Sequence, residues 1–351
     1  MNKIWVILAM CVLCYSTAFG ADRNRVGINV HAFDGAEGSS AAIRAAESGI
    51  GWVRVDFNWY AMEPGQNQFD WASTDATIDN AYNNGLNVLA TLGYSPSWSR
   101  PGTTPGDSHL PPDDAHMPDW ENFVKQVVIR YGARVKYLSI WNEPNAEYWE
   151  GTTAQYDQLF AVASKAIKAT NSTVQVVGFE NGYAPGEPND SWICGRLAAA
   201  QNNGAAVDVI AVHNYGTADE TENALRNLGM KIGTSRPIWL TETGEPVDYP
   251  YLIDQERDII GKVGLINRGI PALDKVFYYD FSSDIRGIVS PTWPFKRKPA
   301  FNALKFFMQG SYQDWTSMNR CTGVNGLTCT NACNTYEYSC SADEGQCFIC
   351  P

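Results

Sequence analysis

Two glutamates in the sequence stand at the ends of short apolar runs: Ile140-Trp141-Asn142-Glu143-Pro144-Asn145 and Ile238-Trp239-Leu240-Thr241-Glu242-Thr243-Gly244. The residues leading to the first, Val135 to Ile140, are apolar and aromatic and read as a buried strand. Pro144 ends that ladder, because proline has no N–H to donate. Each run therefore carries a carboxylate through a core and releases it at the edge. Paired carboxylates across a pocket are the minimum apparatus for breaking a glycosidic bond. One is a proton donor whose pKa is raised by burial, and the other an anion kept ionised by nearby donors. His213 and Tyr215 close another such run beside Glu242, and Arg54 adds a positive charge. Glu242 is accordingly expected as nucleophile and Glu143 as acid/base in a retaining reaction, with carboxyl groups about 5–5.5 Å apart. Arg54 also has a plainer reading, a pairing with Asp56 or Glu63.

The elements that must hold these residues follow from the pattern around them. Strand-like runs occur at 26–30, 52–56, 87–92, 135–142, 175–179, 207–213, 237–242 and 275–281. Amphipathic segments alternate with them at 41–48, 73–84, 119–131, 154–170, 192–202, 220–230 and 255–268, and another at 299–308 follows the last strand. Glycines such as Gly85 and Gly132 punctuate helix ends. Strictly alternating strands and helices predict a (β/α)₈ TIM barrel, whose active groups sit at the C-terminal ends of the strands. A doubly wound sheet would need a Gly-rich phosphate turn after an early strand, and Ala32-Phe33-Asp34-Gly35-Ala36 is not one. The strand ends collect polar and aromatic residues: His31, Asp56 to Trp59, Tyr94 with Trp98, Asn142-Glu143, Glu180-Asn181, His213 to Tyr215, Glu242, and Tyr278 to Asp280. The proline-rich loop 93–118 reads as a stiff cleft wall.

A resemblance sharpens the expectation. Trp141-Asn142-Glu143-Pro144-Asn145 resembles the acid/base signature of the clan A glycoside hydrolases, and the run ending in Glu242 resembles their nucleophile strand. Val53 to Trp59, Gln68 to Trp71, Gly93 to Trp98, Pro111 to Asp114, Phe277 to Asp280 and Lys298 to Ala300 are most similar to glycoside hydrolase family 39, with family 5 as second choice. The likeness runs over residues 26–308. It implies that Asn142 bonds the 2-hydroxyl of the sugar being cleaved, that Tyr215 contacts Glu242, as in family 5, and that Arg54 keeps Glu242 ionised. Tyr278 stands where relatives often carry a tryptophan under that sugar. Family 39 xylosidases and iduronidases carry an extra sandwich domain, whereas here the cysteine-rich tail is expected directly after the barrel. Loop aromatics, Trp98, Tyr148, Trp149, Trp192 and Trp293, suggest an open cleft and endo-action on a β-linked polysaccharide. His31, Trp98 and Trp149 are further candidate substrate contacts. An exo-β-glycosidase of the xylosidase kind and a non-catalytic glycan-binding barrel are the alternatives.

Composition bounds the rest. The 351 residues carry a net charge of −12 and lack the basic stripe that nucleic-acid binding requires. A basic start, a short apolar run and small residues read as a secretory signal over 1–20, with no membrane attachment after cleavage. The barrel is expected over 22–310 and a cysteine-rich tail over 311–351. Six cysteines there (Cys321, Cys329, Cys333, Cys340, Cys347, Cys350) suit three disulfides in a secreted or periplasmic chain. Zinc is the weaker reading of that tail, since no second closely spaced pair or histidine accompanies Cys347 and Cys350. The tail suits either a stapled cap or a small carbohydrate-binding module. Cys194 is left as a buried free thiol, and Asn171 and Asn189 head glycosylation sequons. The expected partner is a polysaccharide or oligosaccharide substrate, the protein is expected to be a monomer, and the chemistry calls for no cofactor.

Overall fold

A computed structural model describes residues 20–100, 102, 107–183, 190–244, 252–283, 286–292, 294–310, 338–340 and 347–349. Eight parallel strands close into one barrel in sequence order: β1 (Val26–Asn29), β2 (Trp52–Asn58), β3 (Asn87–Gly93), β4 (Tyr137–Ile140), β5 (Gln175–Tyr183), β6 (Val209–Asn214), β7 (Ile238–Thr243) and β8 (Leu273–Tyr278). Around them lie α1 (Gly38–Glu47), α2 (Trp59–Met62), α3 (Ala72–Asn83), α4 (Met117–Tyr131), α5 (Thr153–Thr170), α6 (Asp190–Asn202), α7 (Ala218–Ile232), α8 (Leu252–Gly264) and α9 (Pro299–Met308). The fold is the expected (β/α)₈ barrel. The short α2 was not anticipated; it is a single turn directly after β2.

Strand alternation builds two cores. Trp52, Leu89, Val177, Val209, Ala211, Trp239 and Phe277 fill the barrel interior. Their sequence neighbours, such as Val53, Val55 and Val276, face the helices in a larger outer core. On β2 the inward row therefore runs Trp52, Arg54, Asp56, from aromatic floor to charged mouth. Helix starts are fixed close to the site. Thr217 and Glu220 form a capping box at α7, two residues beyond Tyr215, and Thr152 and Gln155 do the same for α5.

Strand ends differ from the expectation where the backbone turns. β4 stops at Ile140 rather than Asn142, because Trp141 lies in the left-handed region at φ 69° and breaks the ladder. The expected leader and most of the tail lie outside the described residues, as do Asn189 and Trp293. Within the tail, Tyr338–Cys340 pairs antiparallel with Cys347–Ile349, and the disulfide framework itself falls outside what is described. Cys194 carries a free thiol but is half-buried on α6, not buried. Among the described residues no helix is long and apolar enough to cross a membrane.

Candidate active site

Three strands depart from simple alternation where they meet the mouth of the barrel. On β5 a register shift between Gly178 and Asn181 turns Phe179 outward against Phe160 and leaves Glu180 facing inward at φ 42°. On β7 the register shifts between Leu240 and Thr243, so Glu242 joins the mouth although Trp239 already points inward. Bulges re-aim side chains in this way. After β4, Trp141 turns out and donates its indole N–H to the Tyr148 carbonyl at 2.7 Å, while Asn142 and Glu143 turn in. Non-glycine residues in the left-handed region collect here: Tyr94, Trp141, Glu143 and Glu180. Such backbone strain persists only where surrounding contacts hold it. The contacts are present: Glu143 N–H donates to the Glu180 carbonyl at 3.1 Å, and Asn145 and Gly182 exchange hydrogen bonds of 2.8 and 2.9 Å.

The carboxylates face each other across a cavity of about 290 Å³. Single donor atoms of Glu143, His213 and Glu242 all lie within 4.8 Å of one another. His213 Nδ1 is 2.7 Å from Glu143 Oε1 and 3.6 Å from Glu242 Oε2. Tyr215 donates to Glu242 Oε2 at 2.5 Å, and Arg54 Nη1 lies 2.9 Å from Glu242 Oε1. The same guanidinium forks onto Glu180 at 3.0 and 2.5 Å and donates to Asn142 Oδ1 at 2.8 Å and to Asn29 Oδ1 at 2.9 Å. Three such donors also match the count of a small metal site. Both Glu242 oxygens already face proton donors, however, and a guanidinium beside them opposes a cation. The set suits an ionised nucleophile better.

Burial alone would push the Glu242 carboxyl up. The His213 and Arg54 charges, the Tyr215 hydroxyl and the more distant Arg286 outweigh it and hold Glu242 below the usual glutamate value. His213 is fully buried, which favours its neutral form, yet the charge of Glu242 and the hydrogen-bonded Glu143 raise it above the ordinary histidine value. Burial and then Glu242 push Tyr215 well up, so its hydroxyl stays a donor. Asp56 is raised mainly by burial, against the pull of Arg54.

His31, Arg54, Asn142, Glu143, Tyr215 and Glu242 line the one cavity, with His213 buried behind the two glutamates. Arg54 lies 4.0 Å from Asp56 but does not reach Glu63, which instead accepts from Trp59 and the Asn67 backbone. Three expected contacts lie elsewhere. Tyr278 alternates outward, is buried and donates to Asp258 on α8 at 2.8 Å; its neighbour Tyr279 lines the cavity in its place. Trp98 packs edge-on against Trp59 and donates to the Glu63 carbonyl at 2.9 Å. Trp149 is buried at right angles to Trp141 and donates to the Thr152 carbonyl at 3.2 Å. Trp192 likewise packs on Tyr156 and Phe179, so of the described loop aromatics only Tyr148 reaches the cavity. Glu180, Tyr94, Tyr279, Asp280 and Arg286 complete the site. All but Arg286 stand at strand ends, and that position was their signal in the sequence. The loop 107–118 acts as a wall through His109, whose ring sits between Tyr94 and Tyr148.

A family model described as "Glycosyl hydrolases family 39" matches residues 43–232. A β-xylosidase of Caldicellulosiruptor saccharolyticus is 27% identical over 180 residues, covering 48% of this chain and 36% of its own length. A family 39 glycoside hydrolase from Bacteroides cellulosilyticus WH2 superposes with a TM-score of 0.68 at 21% identity, covering 83% of this chain and 65% of its own. A monomeric β-xylosidase from Caulobacter crescentus CB15 gives 0.67 at 20% identity, covering 82% and 68%. The chain thus spans about a third of the first relative and about two thirds of the first structure; these structural likenesses speak to the fold alone.

Proposed function

The chain belongs to glycosyl hydrolase family 39, and on that footing we propose that it is a retaining β-glycosidase with Glu242 as nucleophile and Glu143 as acid/base. One observation carries the reading: Glu143 and Glu242 approach with oxygens within 4.8 Å. That approach suits the roughly 5–5.5 Å carboxyl spacing of retention better than the 6.5–9.5 Å that inversion needs to seat a water. Glu242 attacks the anomeric carbon as the glycosidic C–O bond breaks, and the Glu143 proton passes to the departing oxygen. Water then attacks the same carbon, Glu143 takes its proton, and Glu242 leaves as a carboxylate. Arg54 occupies the Asn142 carbonyl, and Tyr94 meets the Asn142 side chain, so one amide hydrogen remains for a sugar hydroxyl.

For substrate, a β-linked polysaccharide or oligosaccharide cleaved by a secreted monomer suits the acidic chain and its signal-like start. A second reading, an exo-acting xylosidase, is favoured by the names of the relatives and by the inward packing of Trp98, Trp149 and Trp192. Glu242→Ala should abolish turnover, and azide should restore it with inverted anomeric configuration. Full activity in that variant would sink the assignment. Reducing-end release from a panel of β-linked polysaccharides, set against release from aryl monoglycosides, separates internal from terminal cleavage.

A further inference from the structure

A second cavity of about 180 Å³ adjoins the first, and the two share His31 and Asp56. It runs along the ends of β1 and β2 towards the first turn of α3. Several polar groups around it are committed to the local turn: Asp70 accepts from Ala72 N–H, Thr77 accepts from Phe33 N–H, and Ser73 donates to Asp34. Asp56, Asn58 and Thr74 are different. None has a side-chain hydrogen bond to the described residues; Asp56 lies 4.0 Å from Arg54 and also feels the charges of Glu242, Glu180 and His31, and Asn58 and Thr74 are half-buried. Free hydroxyl and amide groups on a concave wall are the donors and acceptors that orient a polar ligand.

The side of the scissile bond on which this cavity lies follows from the ring of strands. The Glu143 carboxylate is pressed against β5 and β6, so close that a Cβ on Gly182 would stand 3.1 Å from it, and His213 holds it at 2.7 Å. The leaving oxygen must be protonated there. In a closed ring of eight, β1 stands opposite β5. The second cavity therefore receives the end of the substrate that points away from the leaving group.

Resting on the glycosidase reading above, we propose that this cavity is a second glycone subsite. The substrate would then present at least two β-linked sugar units before the scissile bond, and the products would be disaccharides or longer. The first cavity alone sits at the lower edge of the roughly 300–1,000 Å³ typical of small-molecule clefts, and the two together lie inside that range. Asp56 reaches both subsites, and Asn58 and Thr74 serve the outer one.

The test uses the whole chain and matched 4-nitrophenyl β-glycosides of xylose, glucose, mannose and galactose, each as the monosaccharide and as its β-1,4-linked disaccharide. For the pair that is turned over, kcat/KM for aryl release from the disaccharide should exceed that from the monosaccharide at least tenfold. Thr74→Trp, which fills the cavity, and Asn58→Ala, which removes its amide, should each bring that ratio towards one. A wild-type ratio within twofold of one, or a ratio that neither variant moves, overturns the second subsite and leaves the glycosidase standing. If no pair and no polysaccharide is hydrolysed, the glycosidase reading falls and takes the subsite with it.

Discussion

The Tyr215 hydroxyl, 2.5 Å from Glu242, adds to the His213 and Arg54 charges in keeping the proposed nucleophile ionised as the solution becomes acidic. Glu242 has a depressed folded-state pKa, so its ionised contacts contribute stability above the unfolded value and lose it as pH falls through the folded one. Turnover needs the same ionised form and should fall over the same acid range. Removing the hydroxyl takes away a hydrogen bond to a charged group, worth about 1.5–3 kcal/mol. In Tyr215→Phe the acid limb of the kcat/KM profile should therefore rise by on the order of 1 pH unit. An unchanged acid limb would show that the hydroxyl does not tune Glu242. His213 runs the other way. Its raised pKa means that its charge stabilises the fold below the unfolded histidine value and ceases to do so as pH climbs through the folded one. His213→Phe should flatten the alkaline side of a plot of denaturation midpoint against pH.

At the scale of elements, the site depends on how β4 and β5 dock at their ends. Glu143 approaches Gly182 so closely that a methyl group there would stand 3.1 Å from its carboxyl carbon. Gly182→Ala should push the acid/base aside. A misplacement on the order of 1 Å costs about a hundredfold in rate, so kcat should fall by about that factor with the unfolding midpoint little changed. Equal loss of stability and rate would point to damage in β5 instead. The same docking explains which parts of the site the sequence disclosed. Arg54 and His213 lie on strands that keep a regular period of two, so counting from the apolar core places them at the mouth. Tyr278 fails by one residue, because a strand read as running to Phe281 hides the parity that puts Tyr279 inside. Glu180 faces Arg54 only because a bulge reverses the parity after Gly178, and no local residue pattern announces it. Trp98 and Trp149 sit in loops, where no periodicity says which way a ring points. Each finds a backbone carbonyl for its indole N–H and packs inward.

Across the whole molecule, the Arg54–Glu180 ion pair joins strands that are not neighbours. Arg54 rises from β2 and Glu180 from β5, and they meet inside the barrel, both buried, with Thr91 of β3 donating to the same carboxylate at 3.2 Å. The pair closes the interior above the aromatic floor of Trp52, Trp239 and Phe277. It also presents the rest of the guanidinium to Glu242 and Asn142. Removing Arg54 strands the buried Glu180 carboxylate, which costs about 3–5 kcal/mol, whereas removing Glu180 leaves Arg54 paired with Glu242 and costs less. Arg54→Met should lower the urea midpoint by the equivalent of that energy, and Glu180→Met by a smaller amount. The double variant strands neither Arg54 nor Glu180, and Glu242 keeps Tyr215 and His213, so it should be less destabilised than the sum of the singles. Activity should behave differently. Every variant lacking Arg54 should remain inactive, because Asn142 and Glu242 lose their common donor whatever the barrel regains. A double variant whose loss equals the sum of the singles would show two independent contacts rather than one tie across the barrel. Recovery of turnover along with stability would show that the guanidinium serves the fold alone.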